Sequence, residues 1–173
     1  MNNMEITLAL KNGYLPDKYG KFATEKEENQ PIVSFPFDVS NIPTDAKVLA
    51  WTLIDDDAIS VCGFSWIHWT GANLPVNGTT LSVPEDFSRQ ANAPILQGKT
   101  SQASPFVGQK NMRLRQTYTG PTPPDTAHCY TLSVYALSEN LALENGFWLN
   151  ELLHQMDKKI MARATATFLS RAD

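Results

Sequence analysis

The chain of 173 residues has little that would tie it to a metal, a membrane or another polymer. It carries two cysteines, Cys62 and Cys129, too few for a disulfide framework and lacking the close pairing of a zinc site, so both are expected as reduced thiols. No run of Lys or Arg forms the footprint that a phosphate backbone requires, and the net charge is −4, which excludes nucleic acid as an expected partner. The same mild acidity, with no basic amphipathic helix, disfavours docking on anionic membranes. Nowhere do about 18 consecutive apolar residues occur, so no transmembrane segment is expected. The first residues, with Asn2, Asn3 and Glu5, lack the charged start and apolar core of a signal peptide, which makes the cytoplasm the expected location. Internal repeats, heptads, a Walker loop, a dinucleotide fingerprint, a nucleophile elbow and an EF-hand loop are missing, and neither a cofactor nor a metal is expected.

What remains is the composition of a globular protein, 42% hydrophobic and 18% charged with aromatics throughout, and a length that suits one domain over residues 1–173. Residues 32–37 alternate as a strand would, with Pro31 and Pro36 placing them near an edge or bend. The segment 47–54 (KVLAWTLI) is apolar on both faces, as expected of a central strand buried between layers. Residues 63–73 (GFSWIHWTGAN) and 130–137 (YTLSVYAL) read as two further strands of the same sheet. The stretch 74–119 is rich in Gly, Pro, Asn and Ser, reads as function-bearing loop, and holds a short strand at 79–83. Leu149, Leu152, Leu153 and Met156 recur at helical spacing and predict a helix over 147–158. A further turn through Ile160 and Met161 should lead into a last strand at 164–169 (ATATFL), so the whole reads as mostly β with appended helices.

Three clusters carry polar chemistry. Asp55, Asp56 and Asp57 follow the central strand; by alternation Asp55 and Asp57 share a face and Asp56 points elsewhere, although such a run is as well explained by a solvated turn. Trp66 and His68 lie two apart on an apolar strand and point to the same side, where a His is more often a satisfied core residue than a ligand contact. The loop Gly120-Pro121-Thr122-Pro123-Pro124 leads to His128 and Tyr130, again two apart; it is either a rigid turn or a holder of unpaired backbone N–H groups. Cys129 beside His128 is a poor catalytic pair, because neighbours on a strand face opposite ways.

The order IDDDA, SWIHW, GPTPP and HCYTLSVYAL, with LQGK at 96–99, resembles the phosphatidylethanolamine-binding protein family, which is Raf kinase inhibitor protein-like, and most closely its bacterial and archaeal YbhB/YbcL-like branch. The resemblance runs over nearly the whole chain. It implies a large central sheet packed on a smaller one, Greek-key connections, and a few peripheral helices including one near the C-terminus. It also implies a surface site for phosphate-like groups, formed by position from Asp55 and Asp57, His68 with Trp66, Gly120, Pro121 and Pro123, and His128 and Tyr130. The sequence departs from that pattern at Asp56 and Ile59, at Thr122, where bacterial relatives commonly have Cys, and at Cys129, which stands in place of Arg; residues 100–118 form a longer stretch than usual.

These residues suggest that His68 and His128 donate hydrogen bonds to an anionic oxygen while Asp57 or Asp55 orients a histidine, with backbone N–H groups near Gly120 as further donors and Trp66, Pro123 and Tyr130 as apolar walls. The expected function is non-catalytic binding of a small anionic ligand, a phosphate ester or a lipid head group, for regulation. A protein-interaction module of the kinase-inhibitor type is the alternative, followed by a hydrolase using an Asp/His pair. A protein partner and a homodimer both stay open.

Overall fold

The computed structural model describes residues 3–173. In chain order its strands are Glu5–Thr7 (β1), Lys26–Glu27 (β2), Gln30–Pro31 (β3), Phe37–Ser40 (β4), Val48–Asp55 (β5), Trp66–Pro75 (β6), Leu81–Val83 (β7), Leu96–Gln97 (β8), His128–Leu137 (β9) and Ile160–Ser170 (β10). Two short helices, Ile59–Cys62 (α1) and Leu149–Met156 (α2), accompany them. The main sheet has the order β10-β9-β5-β6-β8, a smaller sheet the order β1-β4-β7, and β2 and β3 form a separate ribbon. Strand β9 arrives from far along the chain to pair antiparallel with β5, leaving β5 between β6 and β9. That central place explains why β5 is apolar on both faces.

Each face of the main sheet meets a different layer. Leu49, Trp51 and Leu53 on β5, Trp69 on β6 and Leu132 on β9 pack against Phe37 and Val39 of β4 and Val83 of β7, so the larger core lies between the two sheets. Edge-to-face contacts between Trp51 and Trp69 (5.1 Å) and between Phe35 and Tyr118 (5.8 Å) tie it together. Val48, Ala50 and Leu137 face the other way, toward Leu152 and Met156 of α2. Burying side chains of this size contributes about 1.5–3 kcal/mol each, so the alternation along β5 binds both layers to one strand. Gly71 completes the fit: a Cβ there would lie 2.3 Å from the Trp51 ring, so this crossing of β5 and β6 requires glycine.

Several boundaries differ from the sequence reading. Residues 32–35 are continuously buried but not in a strand, and β4 starts only at Phe37, because Pro36 supplies no N–H to a ladder. Helix α2 is shorter than expected, closed at its start by Trp148 N–H donating to Glu151 Oε2 (2.7 Å) and left behind at Lys158, whose φ is 61°. Its Leu153 is exposed, so the buried stripe is carried by Leu152 and Met156. Ile160 and Met161 belong to β10 rather than to a turn, since Ile160 pairs with Leu137. The loop region also holds a strand that periodicity was too short to reveal, β8, which pairs Gln97 with Gly71.

Candidate functional site

At one end of the main sheet, a row of side chains crosses three strands. Asp55 ends β5 and lies opposite Trp66 on β6 and Tyr130 on β9, so all three project to the same face. His68 joins them through a β-bulge. Leu53 pairs with Trp69 but Ile54 pairs with Ile67, which leaves His68 as the extra residue. A bulge re-aims its side chain, and His68 and Trp69 are both buried. His128, at the start of β9, completes the group.

Asp55, Trp66, His68, Pro123, His128 and Tyr130 line one pocket of about 310 Å³, together with Gln30 of β3, Gln102, Val107 and Thr122 from the connections between strands, and Val61 and Cys62 from α1. No Lys or Arg among the described residues lines it. Any anion would therefore have to be met by neutral donors and by histidine.

Asp55 is 3% exposed and has partners on both oxygens. Oδ1 accepts from Ala58 N–H (3.1 Å), closing the turn that opens α1, and Oδ2 accepts from His128 Nδ1–H (2.8 Å). The far side of the His128 ring is also held, because Nε2–H donates to Asp125 Oδ1 at 2.9 Å. Carboxylates only accept, so a ring placed between two of them donates from both nitrogens and is an imidazolium. Burial alone would lower its pKa, but the Asp55 and Asp125 contacts outweigh that and raise it.

His68 has the opposite character. Its Nδ1–H donates to the Thr119 carbonyl (2.7 Å), which fixes the tautomer and leaves a lone pair on Nε2. Burial lowers its pKa to about 4, against the raising effects of the Thr119 bond and of Asp55. Near neutral pH His68 is thus an acceptor toward the pocket rather than the donor expected from sequence. The Tyr130 hydroxyl is buried, has no well-formed partner among the described residues, and faces Asp55, which with burial raises its pKa far out of the titrating range. It remains a donor at every ordinary pH.

Three of the expected residues lie outside the pocket wall. Asp57 is exposed and accepts from Cys129 N–H (2.7 Å), bonding the start of β9 instead of orienting a histidine, because the chain has left β5 at Asp55 and strand alternation no longer applies. Gly120 serves packing: its N–H is taken by the Pro31 carbonyl (2.9 Å), so it offers no free donor, and a Cβ there would fall 2.1 Å from the Tyr19 carbonyl oxygen. Pro121 is buried, its carbonyl close against Gly20. The Gly-Pro turn is a clamp between the 19–20 segment and β3, and only its later residues, Thr122, Pro123 and Pro124, reach the pocket. Cys129 faces away, exposed beside the buried His128, and burial followed by the charges of Asp57 and Asp55 raises its thiol pKa.

Asp125 was not singled out by the sequence reading. It stands three residues before His128, a spacing that could have suggested the contact had the loop geometry been known.

Comparison with known proteins bears on this site. The family model for phosphatidylethanolamine-binding protein matches residues 7–171. The chain belongs to that family. Among curated relatives, the Bacillus subtilis protein YxkA is 49% identical, with 92% of this chain and 95% of the relative covered. A UPF0098 protein of Methanothermobacter thermautotrophicus is 31% identical over 92% of this chain and 91% of its own length. The crystal structure of the phosphatidylethanolamine-binding protein homologue CT736 from Chlamydia trachomatis superposes with a TM-score of 0.78 at 29% identity, covering 100% of both chains. YbcL of Escherichia coli shares the fold, with a TM-score of 0.75 at 21% identity, covering 99% of this chain and 100% of its own. Membership of the phosphatidylethanolamine-binding protein family supports a binding protein. Among the described residues, no helix is long and apolar enough to cross a membrane.

Proposed function

We propose that this phosphatidylethanolamine-binding protein relative is a non-catalytic binding protein whose pocket takes one small anionic group, a phosphate ester free or on a lipid head group. The observation that carries this reading is the His128 Nε2–H, an imidazolium donor whose present partner is already a carboxylate oxygen, that of Asp125. An exogenous anionic oxygen in the pocket competes for that donor with Asp125, which stands outside the pocket wall. The Tyr130 O–H, which faces Asp55 without a well-formed hydrogen bond among the described residues, adds a second donor.

His68 refines the ligand. With a lone pair on Nε2 it repels a bare anionic oxygen and accepts from a ligand O–H. The singly protonated phosphate ester offers both functions, an anionic oxygen for His128 and a P–OH for His68. Apolar walls from Trp66, Val107 and Pro123 strengthen these bonds by excluding water.

The test is calorimetric titration with phosphate, phosphoethanolamine and acetate. Saturable binding of the phosphate compounds, lost in His128→Ala, supports the reading, and no binding by any of them overturns it. A second reading, a protein-interaction module, draws on the exposed apolar side chains Ile59 and Val61 of α1 and Phe106, the last 94% exposed, in the segments that supply the pocket's Val61 and Val107. Capture of a protein partner that phosphate esters compete away would favour it.

A further inference from the structure

We propose that Asp125, which stands outside the pocket wall, is a rival ligand at its rim: its carboxylate holds the Nε2–H of the pocket-lining His128, so the affinity of the site is set by how readily Asp125 is displaced. The inference rests on the anion-binding reading above and adds a specificity-determining residue to it.

The geometry supports displacement over a fixed structural pair. His128 is almost wholly buried, its side chain 4% exposed, whereas that of Asp125 is 50% exposed. On Nδ1 the ring meets a buried carboxylate, Asp55, that is itself bonded to Ala58 N–H and ends a central strand. On Nε2 it meets a loop carboxylate just after Pro123 and Pro124, outside any helix or strand. Asp125 has no other ion-pair partner among the described residues. Released, its carboxylate enters water with little penalty, so the inner contact is the anchor and the outer contact is exchangeable. An incoming anionic oxygen replaces one carboxylate bond by another of the same kind, and the number of donors satisfied at His128 stays constant.

Charge selectivity follows from the same arrangement. Asp55 and Asp125 place two carboxylates around one imidazolium, with no Lys or Arg in the wall. Even when swung aside, Asp125 stays within a few residues of the pocket and opposes a doubly charged ligand more than a singly charged one. A resident carboxylate that leaves about a tenth of the molecules open lowers the apparent affinity about tenfold.

The experiment titrates inorganic phosphate and acetate into wild type, Asp125→Ala, Asp125→Asn and His128→Ala at low ionic strength, with thermal unfolding as a check on folding. Asp125→Ala is expected to bind phosphate about tenfold tighter than wild type and to gain acetate binding, since acetate replaces the missing carboxylate. Asp125→Asn, which keeps an oxygen acceptor without the charge, is expected to fall between, and it carries the test if the alanine variant does not fold. Equal or weaker phosphate binding by the folded Asp125 variants, with binding still lost in His128→Ala, would overturn the role of Asp125 and leave the anion pocket standing. Absence of binding in wild type and in both Asp125 variants would overturn the pocket reading and this inference together.

Discussion

His68 makes acid stability a direct readout of the pocket. In the unfolded chain its imidazole titrates near the ordinary value of 6.5, whereas burial lowers the folded value to about 4. A depressed histidine pKa means that the unfolded chain takes up the proton first, so the folded state loses stability as pH falls from 6.5 toward 4. The linkage relation puts the loss at about 2 kcal/mol by pH 5 and about 3 kcal/mol by pH 4, relative to pH 7. His68→Asn removes this titration while keeping an N–H at the position of Nδ1, able to donate to the Thr119 carbonyl. Urea unfolding of both proteins between pH 7 and 4 isolates the effect, because Asp55 and His128 are present in each and their contributions cancel to first order. The difference in unfolding free energy between wild type and variant should shrink by these amounts as pH falls. Parallel curves over the whole range would refute the assignment of His68 as a neutral, Nδ1-protonated ring. A His68 ring titration near 6.5, followed by NMR, would refute it independently.

His128 runs the other way: its raised pKa stabilises the fold fully below 6.5 and that contribution is lost as pH rises through the folded value. Phosphate affinity should fall over the same rise, because neutral His128 keeps Nδ1–H for Asp55 and turns a lone pair toward the ligand; an affinity that is flat with pH would exclude His128 as the donor. Tyr130→Phe should change the unfolding free energy by less than about 1 kcal/mol, since the hydroxyl has no well-formed partner among the described residues, yet weaken phosphate binding several-fold. Asp57→Ala should cost about 1 kcal/mol by exposing Cys129 N–H to water and leave phosphate affinity unchanged, in contrast to what its place in the acidic run suggests. Gly120→Ala should destabilise by several kcal/mol in chemical denaturation, because its Cβ would sit 2.1 Å from a backbone oxygen that already accepts the Tyr118 hydroxyl.

What could be read from the sequence was whatever depends on strand period and local composition. The central strand and its two long neighbours followed from apolar, β-branched and aromatic composition between turn residues, and the C-terminal helix from the spacing of its leucines. The period-2 rule failed where the backbone leaves its ladder. Asp57 lies beyond the last pair of β5, so counting by two placed it beside Asp55 although it bonds the backbone at the start of β9. The bulge at His68 was equally hidden, because it exists only in the register between two strands that are distant in sequence.

The direction of each hydrogen bond was hidden for a related reason. Two histidines two residues from an aromatic read alike in sequence, and both were expected to donate. Their roles diverge because of which acceptor each Nδ1 meets: a backbone carbonyl at His68, which leaves the ring neutral, and a carboxylate at His128, which favours the charged ring. The same pair of residue types thus yields one acceptor and one cationic donor facing a single cavity. On the proposed reading, a site of that kind would select a ligand by its protons as well as by its charge.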